Sequence, residues 1–164
     1  MPPAEITIRR LGAATAIVVV LAIGIAGCSS QADEETPSAC LVEAPAYLQA
    51  LRAAPGEVRL EGATPISDCL PPEQNGGDLA QVGSAMIAAA TELNGEARAD
   101  PGGEATVELG YLSGAVSRGA ASIHTDLARR VTTAAQFSPG GSGTLSAEFL
   151  RGFGRGYEAG RDTG

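Results

Sequence analysis

Residues 104–136, EATVELGYLSGAVSRGAASIHTDLARRVTTAAQ, carry the clearest periodic pattern in this sequence. Their apolar side chains recur every three or four positions, a spacing that places them along one face of an α-helix. This face comprises Ala105, Leu109, Leu112, Val116, Ala120, Ile123, Leu127, Val131 and Ala134. The pattern predicts one long amphipathic helix over the whole stretch.

Two helices are predicted before this stretch. A short one over residues 42–53 ends at Pro55 and Gly56, which punctuate the chain. After a proline-rich loop, a longer helix begins near Asp78, which follows two glycines and is a suitable N-cap. Its apolar face comprises Leu79, Val82, Met86, Ala89, Ala90, Leu93 and Ala97.

A last helix is predicted over residues 144–160, with Thr144 as its N-cap. Its large apolar residues stand four positions apart, and we expect this row to face the core. The row consists of Leu145, Phe149, Phe153 and Tyr157. Since no strand pair is convincing, the fold class predicted is all-α: an antiparallel bundle of three long helices plus a short N-terminal helix, with one disulfide.

Glycines recur every four residues beside the aromatic row, at Gly152, Gly156 and Gly160. Each glycine costs an exposed helix about 1 kcal/mol relative to alanine, so the period predicts a neighbouring surface at close range. Gly110 and Gly114 on the long helix are suitable partners, because small residues let two helix backbones approach. The alternative interpretation is that high-G+C codon usage supplied these glycines and that the C-terminus frays.

The charge balance argues against nucleic acid as a partner. Beyond residue 27 the chain has nine arginines against 18 acidic residues, a formal charge of −9. Binding to a phosphate backbone requires clustered cations, whereas these arginines are scattered. The chain contains no lysine, which excludes Schiff-base catalysis and the phosphate-binding lysine of a P-loop.

The N-terminus has the pattern of a secretory signal. Arg9 and Arg10 precede a mostly apolar run over residues 11–26, which is short for a membrane span. The run ends in Ile25-Ala26-Gly27-Cys28, which resembles the lipobox of bacterial lipoproteins. An uncleaved N-terminal anchor is the alternative, and both interpretations place the remaining chain outside the cytoplasmic membrane.

The lipoprotein resemblance implies three segments. Residues 1–27 would be a signal peptide cleaved after Gly27, and the Cys28 thiol would receive diacylglycerol, with a fatty acid such as palmitate on the new amino group. Residues 28–38 are polar and acidic and would form a flexible tether, with an extended reach of about 35 Å over ten residues. Residues 39–164 would form the helical domain, held at the extracytoplasmic face of the cell membrane.

The two remaining cysteines predict a disulfide between Cys40 and Cys69. An exported chain lies in an oxidising compartment, where two spare thiols are most simply paired. A metal site is poorly supported, because the thiols are not arranged in Cys-x-x-Cys pairs and the sequence has a single histidine.

The sequence contains little that indicates catalysis. His124 is expected to face solvent, and Asp126 two positions later lies on a different side of the helix. The acidic pairs Glu92 with Glu96 and Glu104 with Glu108 are typical of solvated helix faces. We therefore predict no enzymatic activity, metal or cofactor; an enzyme would depend on His124 alone.

Two functions are consistent with these features. The first is a non-catalytic, lipid-anchored binding or structural module of the cell envelope, with an envelope protein as its partner. The second is a small-ligand-binding lipoprotein with an aromatic pocket between the last two helices. The residues predicted to line that pocket are Tyr111, Phe149, Phe153 and Tyr157.

Overall fold

The computed structural model describes residues 35–136 and 144–164. Within these ranges the chain forms no strand, which confirms the all-α prediction. Three short 3-10 helices span Ser38–Cys40, Ile66–Cys69 and Ser122–His124. The α-helices of the described ranges are α1 (Ala44–Leu51), α2 (Gly76–Ala99), α3 (Glu104–Gly119), α4 (Thr125–Gln136) and α5 (Ala147–Thr163).

The single helix predicted over residues 104–136 is wrong. α3 ends at Gly119, and Ala120 and Ala121 then adopt extended conformations before α4 begins. The end of α3 packs closely on the 3-10 helix Ile66–Cys69. A Cβ on Gly119 would lie 2.3 Å from the Ser67 carbonyl oxygen. As a consequence Ile123 leaves the apolar face and is 46% exposed. Within the described ranges, four helices of 12 residues or more therefore replace the three long helices predicted.

The caps of α2 and α5 differ from those predicted. Asn75, not Asp78, is the N-cap of α2, since its side-chain oxygen accepts a hydrogen bond from the Asp78 N–H at 2.9 Å. Ser146, not Thr144, caps α5 by accepting from the Phe149 N–H at 3.1 Å. In both helices the capping side chain satisfies an N–H that has no partner within the helix.

α3 and α5 make direct backbone contact through their glycines. A Cβ on Gly156 would lie 2.0 Å from the Val107 carbonyl oxygen, and one on Gly110 would lie 2.1 Å from that of Phe153. Gly114 and Gly160 have carbonyl oxygens of the opposite helix equally close, at 2.1 Å. This arrangement, the α3–α5 glycine seam, confirms the predicted close packing. Residue numbers rise together along the seam, so these two helices run parallel, and the antiparallel arrangement predicted for the bundle is wrong for this pair.

α2 and α4 also lie side by side and run in the same direction. Near their beginnings, a Cβ on Gly83 would lie 3.2 Å from the Leu127 side chain. Near their ends, the Arg98 guanidinium donates to the Gln136 carbonyl oxygen at 3.1 Å. Among residues 35–136 and 144–164, no helix combines the length and hydropathy needed to cross a membrane.

The predicted disulfide between Cys40 and Cys69 is confirmed. The sulfur atoms are 2.00 Å apart and the Cα atoms 5.4 Å apart, and both residues are fully buried. The bond joins two 3-10 helices at the start of the domain. The Tyr47 hydroxyl donates to the Cys40 carbonyl oxygen at 2.8 Å, which ties α1 to the same corner.

Candidate functional site

The His124 side chain is completely buried, which contradicts the prediction that it faces solvent. Its Nδ1 accepts a hydrogen bond from the Ala121 N–H at 3.1 Å, so the proton resides on Nε2. Nε2 then donates to the side-chain oxygen of Gln74 at 3.1 Å. Burial lowers the pKa of His124, which favours this neutral form.

Gln74 extends this network to the start of the domain. Its amide nitrogen donates to the Thr36 hydroxyl at 3.0 Å and to the Cys69 carbonyl oxygen at 2.9 Å. Thr36, which the sequence analysis places in the tether, is therefore buried against the domain. Buried polar side chains must find their hydrogen-bond partners within the protein. His124 therefore faces Gln74 in the interior and does not face solvent.

The residues predicted to line an aromatic pocket do not all meet. Tyr111 is fully buried, and its hydroxyl pairs with that of Thr163 at 2.9 Å and accepts from the Val58 N–H at 3.3 Å. A cavity of about 350 Å³ includes Phe153 and Tyr157 in its lining, but neither Tyr111 nor Phe149.

The three aromatic rings of α5 form a stacked row. The ring centroids of Phe149 and Phe153 are 5.9 Å apart, and those of Phe153 and Tyr157 are 6.3 Å apart. Phe149 is buried, whereas Phe153 and Tyr157 are half-buried at the edge of the domain. The row therefore faces the core at its beginning only. The predicted lipidation site Cys28 lies outside the described residues.

Acidic side chains converge in a recess between α1, α2 and α3. Glu92, Glu96 and Glu108 line it together with Arg52, around a volume of about 360 Å³. Burial, and then the neighbouring charges of Glu104 and Glu96, raise the pKa of Glu108. Within the described ranges, no three residues among His, Cys, Asp and Glu are grouped so that they could hold a metal ion.

A larger groove runs between α2 and α4. It encloses about 590 Å³, and its apolar floor includes Ile87, Gly95 and Ala134. Three arginines border it, and no carboxylate from residues 35–136 or 144–164 lines it. The complete lining of this α2–α4 groove is Ile87, Thr91, Asn94, Gly95, Arg98, Arg129, Arg130, Thr133 and Ala134.

The three arginines of the α2–α4 groove are held differently. Arg98 donates to the Asn94 side-chain oxygen at 3.2 Å and lies over the Phe149 ring, 5.6 Å from its centroid. Arg129 is exposed and pairs with Asp126 on the same helix. Arg130 is exposed and has no ion pair or hydrogen bond to any residue in the described part of the chain.

A second cavity of about 300 Å³ continues the groove towards the beginnings of α2 and α4, with Arg130 on the border of both. Leu79 and the exposed Ile123 lie along this continuation, beside Asp126. Sequence reasoning missed the groove because it depends on the break before α4. Ile87, an isoleucine outside the apolar face predicted for α2, was the available signal.

No protein-family model matches this chain, and neither a curated protein nor a solved structure is significantly similar to it.

Proposed function

We propose that the chain is a bacterial lipoprotein, anchored through Cys28 at the extracytoplasmic face of the cell membrane. Its helical domain is a non-catalytic binding module, and the α2–α4 groove is its contact surface. The observation that carries the proposal is the order of features at the N-terminus: Arg9 and Arg10, an apolar run, and the lipobox-like Ile25-Ala26-Gly27-Cys28.

The disulfide supports export. Of the three cysteines in the sequence, Cys40 and Cys69 are bonded to each other and buried. Disulfides persist in oxidising compartments and are rare in the reducing cytosol. The pairing leaves Cys28, the cysteine of the lipobox-like motif, available for acylation.

The side chains of the groove support binding more than catalysis. Arginine guanidinium groups remain protonated in proteins, so they attract anions but do not act as general bases. His124, the one histidine of the sequence, uses both ring nitrogens in hydrogen bonds within the fold. A proton-transfer role would require it to leave that network.

A second candidate function is small-ligand binding at α5. The half-buried rings of Phe153 and Tyr157 border the cavity of about 350 Å³, which offers an aromatic surface to an apolar ligand. Gly154 also lines this cavity, and a Cβ there would meet no atom within 4 Å. A ligand that raises the melting temperature of the native chain but not of Gly154→Leu would support this function.

Metabolic labelling in the native host tests the lipoprotein proposal. Cells given an alkyne-bearing fatty acid should incorporate it into the chain, and the labelled protein should migrate at the mass of the processed form. Cys28→Ala should be unlabelled and retain its leader, while Ser29→Ala, the matched control, should be labelled like the native chain. Labelling of Cys28→Ala, or none in the native chain, would contradict the proposal.

A further inference from the structure

The α2–α4 groove differs in charge from the rest of the molecule. Acidic residues outnumber arginines two to one beyond residue 27, yet the described part of the chain lines this groove with three arginines and no carboxylate. The acidic recess with Glu92, Glu96 and Glu108 lies on another side of α2. Asp126 offsets one of these charges by pairing with Arg129, so the groove carries a smaller excess of positive charge, on Arg98 and Arg130, within an acidic domain.

The groove combines this charge with an apolar floor. Ile87 and Ala134 are half-buried, and Gly95 is exposed with open space where a side chain would stand. Arg129 and Arg130 extend from α4 at its edge. A cationic rim beside an apolar floor is complementary to an amphiphile with an anionic head and a hydrocarbon chain.

The position of the anchor brings such a molecule within reach. Thr36 is bonded to Gln74, and Gln74 to His124, so the chain enters the domain where α2 and α4 begin. Thr36 is eight positions after Cys28, a span of at most about 28 Å. Arg130 lies only about 9 Å along the helix axis from His124. The proposed anchor therefore brings the Arg130 end of the groove within reach of the membrane surface.

We propose that the α2–α4 groove binds an anionic phospholipid of the membrane that holds the Cys28 anchor. The lipid phosphate is bound by Arg129 and Arg130, and an acyl chain lies on Ile87, Gly95 and Ala134. The inference rests on the proposed function, since the acylated Cys28 supplies the proximity. Bound in this way, the domain lies with its α2–α4 side against the bilayer and its acidic recess away from the negative surface.

Photocrosslinking in vesicles tests this proposal. The full lipidated protein, purified from its host, is reconstituted into phosphatidylcholine vesicles that contain a minor fraction of phosphatidylglycerol with a photoreactive acyl chain. We expect crosslinks in peptides from α2 and α4. The same photoreactive chain on phosphatidylcholine should give much weaker labelling.

Two variants separate charge from unfolding. Arg129→Glu with Arg130→Glu should lower crosslinking at least about tenfold, because each arginine near an anionic surface contributes to attraction. Arg151→Glu with Arg155→Glu on the exposed side of α5 changes the net charge equally and should leave crosslinking unchanged. Equal loss in both double variants would overturn the proposal.

A substitution in the groove tests the acyl-chain position. Gly95→Leu places a side chain in the groove where a Cβ meets no atom within 4 Å, and we expect it to abolish crosslinking at α2 and α4. Ala88→Leu, at an exposed position of α2 that does not line the groove, is the control and should crosslink normally. Unchanged labelling of Gly95→Leu, or labelling of the native chain confined to peptides outside α2 and α4, would overturn the inference.

The mass of the N-terminal peptide in the same samples separates the two proposals. An acylated Cys28 without crosslinks in α2 or α4 would overturn the lipid site and leave the lipoprotein proposal standing. An unmodified Cys28 would overturn the lipoprotein proposal itself, whatever the crosslinks show.

Discussion

Gly156 sits where the backbone of α5 touches that of α3. A Cβ at this position would lie 2.0 Å from a backbone oxygen, which no rotamer change relieves. Gly154, two residues earlier in the same helix, has open space instead. Substitution of Gly154 therefore reports only the low helix propensity of glycine, whereas substitution of Gly156 also reports the close packing of α3 and α5.

We expect Gly156→Ala to lower the free energy of unfolding by about 3 kcal/mol or more, because the two helices must move apart. Gly154→Ala should raise it by up to about 1 kcal/mol, since alanine favours the helix and meets no neighbour. Urea denaturation of both variants measures the difference. Similar stability of the two variants would contradict the α3–α5 glycine seam.

His124 should make the stability of the fold depend on pH. Burial lowers its pKa below the ordinary value of 6.5, so the unfolded chain takes up a proton at a pH where the folded chain does not. Stability is therefore complete above about pH 6.5 and falls as the pH drops below that value. Urea unfolding of the native chain between about pH 8 and pH 5 measures this loss.

His124→Asn is the matched variant for this dependence. Asparagine retains an acceptor for the Ala121 N–H but does not titrate, and it leaves Gln74 without its partner. We expect it to lower stability at neutral pH by about 1 to 3 kcal/mol and to lose the part of the pH dependence that belongs to His124. The same pH slope in both proteins would show that another group is responsible.

The helices differ in how much the sequence reveals of them. The spacing of apolar residues predicted α2 and α5 to within a few residues, because each buries one continuous face. The glycine period at Gly152, Gly156 and Gly160 also predicted the close approach of α5 to another helix. These features are local, so the sequence contains them directly.

The break between α3 and α4 has no comparable local signal. Ala120 and Ala121 favour a helix, and the apolar spacing continues across the break without interruption. The chain turns there because Gly119 packs on Ser67 and because His124 bonds Gln74, 50 positions away. Such long-range contacts override local preference, and the α2–α4 groove could not be predicted because it forms only after the turn.

The disulfide joins two of the short helices and should contribute substantially to stability. It closes a loop with a sequence separation of 29, for which chain entropy predicts about 3 to 4 kcal/mol. We expect the double variant Cys40→Ala with Cys69→Ala to lose that amount in urea denaturation, compared with the native chain under oxidising conditions. Equal stability of the two proteins would contradict this contribution.

The molecule as a whole is organised around the end where the chain enters the domain. The disulfide, the network of Gln74 and His124, and the beginnings of α2 and α4 meet there. At the C-terminal end of α5, Arg118 donates to the Arg161 and Asp162 carbonyl oxygens at 2.7 and 2.8 Å, which satisfies helix carbonyls that lack internal partners. The proposed anchor at Cys28 would therefore join the domain at this end.

Salt should separate anchoring from surface binding. Screening at high ionic strength weakens the attraction between the groove arginines and anionic lipid, whereas acyl chains at Cys28 are held by hydrophobic burial. We therefore expect added salt to reduce crosslinking in α2 and α4 while the protein still floats with the vesicles. Release of the protein from the vesicles by salt would contradict acyl anchoring.

The mass of the N-terminal peptide of protein purified from the native host tests acyl anchoring most directly. We expect a peptide that begins at Cys28 and carries the added mass of diacylglycerol. A peptide that continues through Gly27 into the leader, with an unmodified thiol at Cys28, would contradict it.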